Sequence, residues 1–270
     1  MENPNQPVAS VNQVAQTGYY NKPKLTPALK IFKVAVSLWW KNFEKILRLY
    51  WEGIKITLLP LAITAVFSAL GFFIITPGFI ANILKVIAGI SGFVTFILMI
   101  YYWTRAYIAI FLLIKNDYRN EPKETYQNTK DLFWPYIGLS LLTALLVLCW
   151  SLLLIIPGII FSVFYSLAIY VLFFEGKQGM AALRRSRALV KGYFWPVLGR
   201  FCVLMVIVWL FMILLIAPIA NAPETSAWVQ IWNGVVQIIS WLLGPIVMLF
   251  SYNIYTDLVK IKDVEPQIKQ

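Results

Sequence analysis

The chain has 270 residues, 60% apolar and 13% charged, with 23 Lys and Arg against 12 Asp and Glu for a net charge of +11. Soluble domains average about 45–50% apolar and about 25% charged, so this composition excludes an ordinary soluble globular protein and points to lipid as the solvent. Histidine is absent, which removes the commonest general base and the commonest metal ligand, so neither a metal nor a cofactor is expected.

Residues 1–23 are rich in Asn, Gln and Pro and lack the apolar core of a signal peptide; they read as a disordered tail. Residues 24–53 follow with Thr26 and Pro27 as an N-cap and first helical position. Lys30, Lys33, Ser37, Lys41, Lys45, Arg48 and Glu52 then recur at spacings of three and four. Between them stand Ile31, Phe32, Ala35, Leu38, Trp39, Phe43, Ile46 and Leu47. A 3.6-residue period with cations on one side and aromatics on the other predicts an interfacial amphipathic helix, or a helix packed on the membrane domain.

Six apolar runs long enough to cross a bilayer as helices of about 20 residues fall near 54–75, 84–108, 134–156, 159–174, 196–218 and 230–255. The first ends at "IITPGF", and the third stops at Pro157-Gly158, where the fourth begins. The expected fold is all-α and polytopic. Its transmembrane domain, 54–256, holds three hairpins, about 54–108, 134–174 and 196–255, and a tail follows at 257–270.

Lysine and arginine gather before the first run, in 115–131, in 175–193 and in the tail. The alternate connections carry only Lys85. The positive-inside rule then puts both termini and these basic segments on the cytoplasmic side. The charge is accounted for by topology, and no nucleic-acid partner is expected.

"FWPYIG" at 133–138 is echoed by "FWPVLG" at 194–199, an offset of 61 residues. The same offset carries "LLIIPGI" at 153–159 onto "LLIAPIA" at 214–220. An internal repeat of parallel hairpins follows, with Tyr101, Tyr170 and Tyr255 late in alternate spans. Pro157, Gly158, Trp195 and Pro196 are therefore read as architecture, Gly244-Pro245 as a hinge inside the sixth span.

No Asp or Glu lies well inside any span, and Glu52, Asp117, Asp131, Glu175 and Asp257 fall at the predicted cytoplasmic ends, which leaves no intramembrane acid–base pair for an enzyme or a proton relay. Cys149 and Cys202 lie in apolar runs and are expected to pack as small hydrophobes. Arg105 and Arg200 lie inside apolar runs. Each either snorkels to the headgroups or faces a cavity where an anionic headgroup could be held. The segment "AALRRSRALVKGYFWP", 181–196, brings Arg184, Arg185, Arg187 and Lys191 together. It reads as a topology determinant or as a site for anionic lipid headgroups or an acidic partner.

Within 156–196, Pro157-Gly158, Tyr165, Ala182-Leu183-x-x-Ser186, Leu189-Val190-x-Gly192 and Phe194-Trp195 carry a resemblance. The pattern resembles the membrane domain of bacterial glycerophosphoryl diester phosphodiesterases and related uncharacterised six-span membrane proteins, over most of residues 25–258. The resemblance implies a multi-pass protein of a prokaryotic cytoplasmic membrane. The phosphodiesterase activity does not carry over, because in that group it belongs to a separate barrel with histidines and carboxylates. The expected function is a non-enzymatic module that interacts with membrane lipids or organises a protein partner or a second copy. A transporter, channel or lipid-moving protein is the alternative.

Overall fold

A computed structural model describes residues 25–73, 79–220, 222–223 and 225–268. Of these, 88% are helical and none is in a strand. The expected disordered tail, the core of "IITPGF" at 74–78, Glu224 and the last two residues lie outside the described residues. The helices are α1 (Ala28–Lys41), α2 (Phe43–Phe73), α3 (Phe79–Lys115), α4 (Pro122–Gln127), α5 (Phe133–Leu153) and α6 (Ile155–Tyr165). They are followed by α7 (Ala168–Tyr170), α8 (Gly179–Val190), α9 (Phe194–Ile216) and α10 (Ala227–Ile268). A π-helical turn, Val171–Glu175, continues α7 and ends at Gly176 in the left-handed region, φ 70°, the usual glycine helix stop.

Six helical stretches are long and apolar enough to cross a membrane: Phe43–Phe67, Asn82–Lys115, Pro122–Leu153, Ile155–Glu175, Phe194–Ile219 and Ala227–Asp263. The expected single helix over 24–53 is two elements. Asn42 interrupts it, and the second half runs unbroken into the first long apolar helix. The tail expected from 257 onward is likewise a continuation of α10.

The break between the third and fourth apolar runs lies earlier than Pro157-Gly158. Leu154 alone is extended, φ −158° and ψ 140°, and Pro157 sits in the first turn of α6. Proline fits there because the first turn's N–H groups have no helical partner to lose. Gly158 serves a different need. A Cβ at this position would lie 2.1 Å from Ser151 Oγ and 2.9 Å from Ser151 Cα, so only glycine lets α6 approach α5 this closely.

Pro245 lies inside α10, which continues through it. Proline removes the N–H that would bond the carbonyl four residues back, which is Trp241. That carbonyl instead accepts from the Tyr50 hydroxyl at 3.4 Å, and the next one, Leu242 O, accepts from Trp39 Nε1 at 2.9 Å. The expected hinge is thus a notch on which α1 and α2 dock. Along α1, Ile31, Ala35 and Trp39 are buried while Leu29, Val34 and Trp40 stay exposed.

The three long hairpins stand on one shared base. Ile108, Leu113, Leu167, Leu183, Leu189 and Phe250 are each less than 2% exposed. Phe111 stacks on Phe173 with centroids 4.6 Å apart, and the buried Tyr170 donates to Met248 O at 2.9 Å. The apolar windows of α3 and α9 bury only 6% and 11% of their residues. Packing therefore concentrates in the base, and the hairpins present apolar flanks. Cys149 and Cys202 are exposed on those flanks.

Candidate functional site

The basic segment forms α8, and its two faces divide the work. Ala182, Leu183, Ser186, Leu189 and Val190 are the buried face. Ser186 Oγ donates to Phe164 O at 2.6 Å where α6 ends, a carbonyl freed by the bend at Ser166–Leu167. Lys191 closes the helix, and Gly192 turns the chain with φ 89°, a conformation that disfavours any side chain. The chain then enters α9 through Phe194 and Trp195.

Arg184, Arg187 and Lys191 are exposed on the opposite face of α8, spaced three and four apart so that they share one side. None of the three makes an ion pair within 4.0 Å among the described residues. The Arg187 guanidinium lies 5.8 Å from the ring centroids of both Phe161 and Phe164, within cation–π range. Met180 at one end and Trp195 at the other are exposed apolar groups, so the cation row is bracketed by side chains that favour a membrane interface.

Arg185 differs from its neighbours. Its Nε lies 3.0 Å from both oxygens of Glu175, and Nη2 lies 3.9 Å from Asp263. Glu175 also takes Lys177 Nζ at 2.7 Å and the Tyr255 hydroxyl at 3.3 Å. This network ties α8 to the end of the fourth apolar stretch and to α10. The spacing could have revealed it, since Arg185 falls one turn from Ala182 and Leu189 on the flank of the buried face.

Arg105 neither snorkels nor faces a cavity with Arg200. It is 5% exposed and donates from Nε to Thr129 Oγ1 at 2.8 Å and from Nη2 to Tyr126 O at 2.9 Å. The Tyr126 ring centroid lies 4.6 Å from its guanidinium carbon and that of Tyr101 5.5 Å. Arg105 therefore clamps α4 onto α3. Arg200 donates from Nε and Nη2 to Thr26 O at 2.9 and 2.6 Å, and from Nη1 to Pro196 O at 2.6 Å. The Thr26 N–H in turn donates to Asp257 Oδ2 at 3.2 Å, which fastens the start of α1 to α9 and α10. Nothing in the sequence around Arg105 or Arg200 names Tyr126, Thr129 or Thr26 as partners, because they lie 21 to 174 positions away.

The two Phe-Trp-Pro segments adopt matching geometry. The Phe133 and Trp134 rings are 5.3 Å apart at 77°, those of Phe194 and Trp195 5.4 Å apart at 80°. In both, the tryptophan is about three-quarters exposed, 75% and 76%, and the proline sits in the first turn of a long helix. A polar pair unremarked in the sequence joins α2 to α3, Thr64 Oγ1 and Thr95 Oγ1 at 2.8 Å, with Thr95 also donating to Pro60 O at 3.3 Å.

An apolar groove of about 410 Å³ opens between α9 and α10, with Phe32 and Trp39 of α1 across one end and Leu204, Phe211 and Val247 on its walls. Neither Arg105 nor Arg200 lines it. Among the described residues no group of His, Cys, Asp and Glu gathers that could hold a metal ion. The chain matches no family model, no curated protein and no solved structure.

Proposed function

We propose that the chain is a non-enzymatic, multi-pass protein of a prokaryotic cytoplasmic membrane, both termini cytoplasmic, that holds anionic lipid headgroups on the outer face of α8. The observation that carries the reading is the unpaired row Arg184, Arg187 and Lys191, exposed on one side of a helix and bracketed by Met180 and Trp195. Each Lys or Arg near an anionic bilayer surface contributes about 1 kcal/mol of attraction. Trp40, Trp134 and Trp195 are exposed near the base, which supports placing it at the cytoplasmic headgroups, where tryptophan is favoured. The alternation of basic and cation-poor connections supports the same orientation, with α1 lying along the interface on its exposed apolar edge. The matching Phe-Trp-Pro corners support the repeat of parallel hairpins, and the resemblance to the membrane domain of the phosphodiesterases belongs with this reading.

The apolar groove between α9 and α10 supports a second reading, a lipid-moving protein, in which acyl chains enter that cleft. The first reading is tested by native mass spectrometry of the full chain extracted in mild detergent. Wild type retains anionic phospholipid, and the combined Arg184→Gln, Arg187→Gln and Lys191→Gln variant loses it. Equal retention by the two proteins overturns the assignment of α8.

A further inference from the structure

A second pocket, of about 390 Å³, lies where the end of α1, the end of α3 and α10 meet. α3 stops at Lys115, and the chain turns back through Asp117 and Tyr118, both at positive φ, 49° and 60°. The Tyr118 N–H donates to Leu113 O at 2.9 Å, which closes the helix end in the manner of a left-handed C-cap. Aspartate tolerates this backbone, whereas a bulky aromatic residue there is a genuine outlier. Lys45 Nζ donates to Tyr118 O at 2.5 Å and holds the turn in place.

Tyr118 lines the pocket, and its hydroxyl is buried with no hydrogen-bond partner among the described residues. A buried polar group left in that state destabilises the fold. Leu38, Ile114 and Leu249 give the pocket an apolar lining. Lys41 and Asp117 bring opposite charges to the same opening, and neither is in an ion pair within 4.0 Å among the described residues. The carboxylate stands beside the carbonyl end of α3, where the helix dipole also favours a cation.

An apolar lining, a cation and a carboxylate, neither in an ion pair among the described residues, together describe the complement of an amphipathic zwitterion. We propose that this pocket binds the headgroup of an ethanolamine phospholipid, its phosphate on Lys41 and its primary ammonium on Asp117. A purely anionic headgroup would leave Asp117 facing a like charge, and a choline headgroup has no N–H to donate to the carboxylate. The inference rests on the proposed membrane placement, since the source of the ligand is the bilayer, but it does not depend on α8.

The test is native mass spectrometry of the full chain in detergent with equal amounts of ethanolamine, choline and glycerol phospholipids of matched acyl chains. Ethanolamine phospholipid should be retained about tenfold better than the choline lipid, the factor set by roughly one charge-assisted contact. Asp117→Asn keeps a residue type suited to left-handed backbone and should erase that preference. Tyr118→Phe should keep the preference while raising the thermal stability of the lipid-free protein, because only the buried, orphaned hydroxyl is gone. The α8 glutamine variant should keep the preference, so that failure of one site leaves the other standing. Equal retention of ethanolamine and choline lipids by wild type, or an unchanged preference in Asp117→Asn, overturns the proposal. Free phosphoethanolamine bound as tightly as the lipid overturns the membrane source.

Discussion

Substituting Gly158 by alanine sets two known effects against each other. Alanine is favoured over glycine inside a helix by about 1 kcal/mol. Here, however, the new Cβ would sit 2.1 Å from Ser151 Oγ and 2.9 Å from Ser151 Cα and Cβ. The hydroxyl can rotate away, but the backbone cannot, and ordinary carbon contacts begin near 3.5 Å, so α5 and α6 must separate by about 0.6 Å. Overpacking of this kind costs about 1–3 kcal/mol, which after the helix gain leaves Gly158→Ala destabilising by up to about 2 kcal/mol. Gly138 in α5 and Gly199 in α9 are the controls, because a Cβ at either meets nothing within 4 Å. Alanine there should be neutral or stabilising by up to about 1 kcal/mol. Thermal unfolding in detergent, followed by tryptophan fluorescence, reads all three. Adding Ser151→Gly to Gly158→Ala removes the offending Oγ and Cβ and should recover part of the loss as a coupling energy. If Gly158→Ala proves as stable as Gly138→Ala, the close α5–α6 approach is wrong.

Arg105→Gln removes two bonds donated by a buried cation and should cost about 2 kcal/mol, seen as faster hydrogen exchange over α4; unchanged exchange there would refute the clamp. Arg200→Gln frees Thr26 O and should raise exchange and proteolysis over α1 while α8 stays protected. A phosphatase reporter fused near residue 224 should be active outside the cytoplasm, and an inactive fusion would contradict the topology.

The apolar helices were legible because hydrocarbon demands long continuous runs. The boundary at Leu154 was not, since Pro157-Gly158 invites a turn and nothing local distinguishes a turn from a first helical turn preceded by one extended residue. Arg105 and Arg200 look alike in sequence, each a lone cation in an apolar run. Their roles as clamps depend on carbonyls brought from Tyr126 and Thr26, which only tertiary packing supplies. The arginine cluster was visible, but its division was only implicit. The buried positions 182, 186 and 189 put Arg185 on the flank of the buried face and Arg184, Arg187 and Lys191 opposite. Tyr118 and the bonds of Trp39 and Tyr50 to α10 went unnoticed, because a strained turn and backbone carbonyls on a distant helix leave no mark in composition or periodicity.

Anionic-lipid affinity at low and high salt tests the central claim most directly. Three exposed cations at about 1 kcal/mol each imply a preference of up to roughly a hundredfold for anionic over zwitterionic glycerol lipid, and such surface attraction is screened by salt. The wild-type protein should show that preference at low salt and lose most of it at high salt, while the α8 glutamine variant shows neither. A variant that still prefers anionic lipid with the same salt dependence would contradict the account.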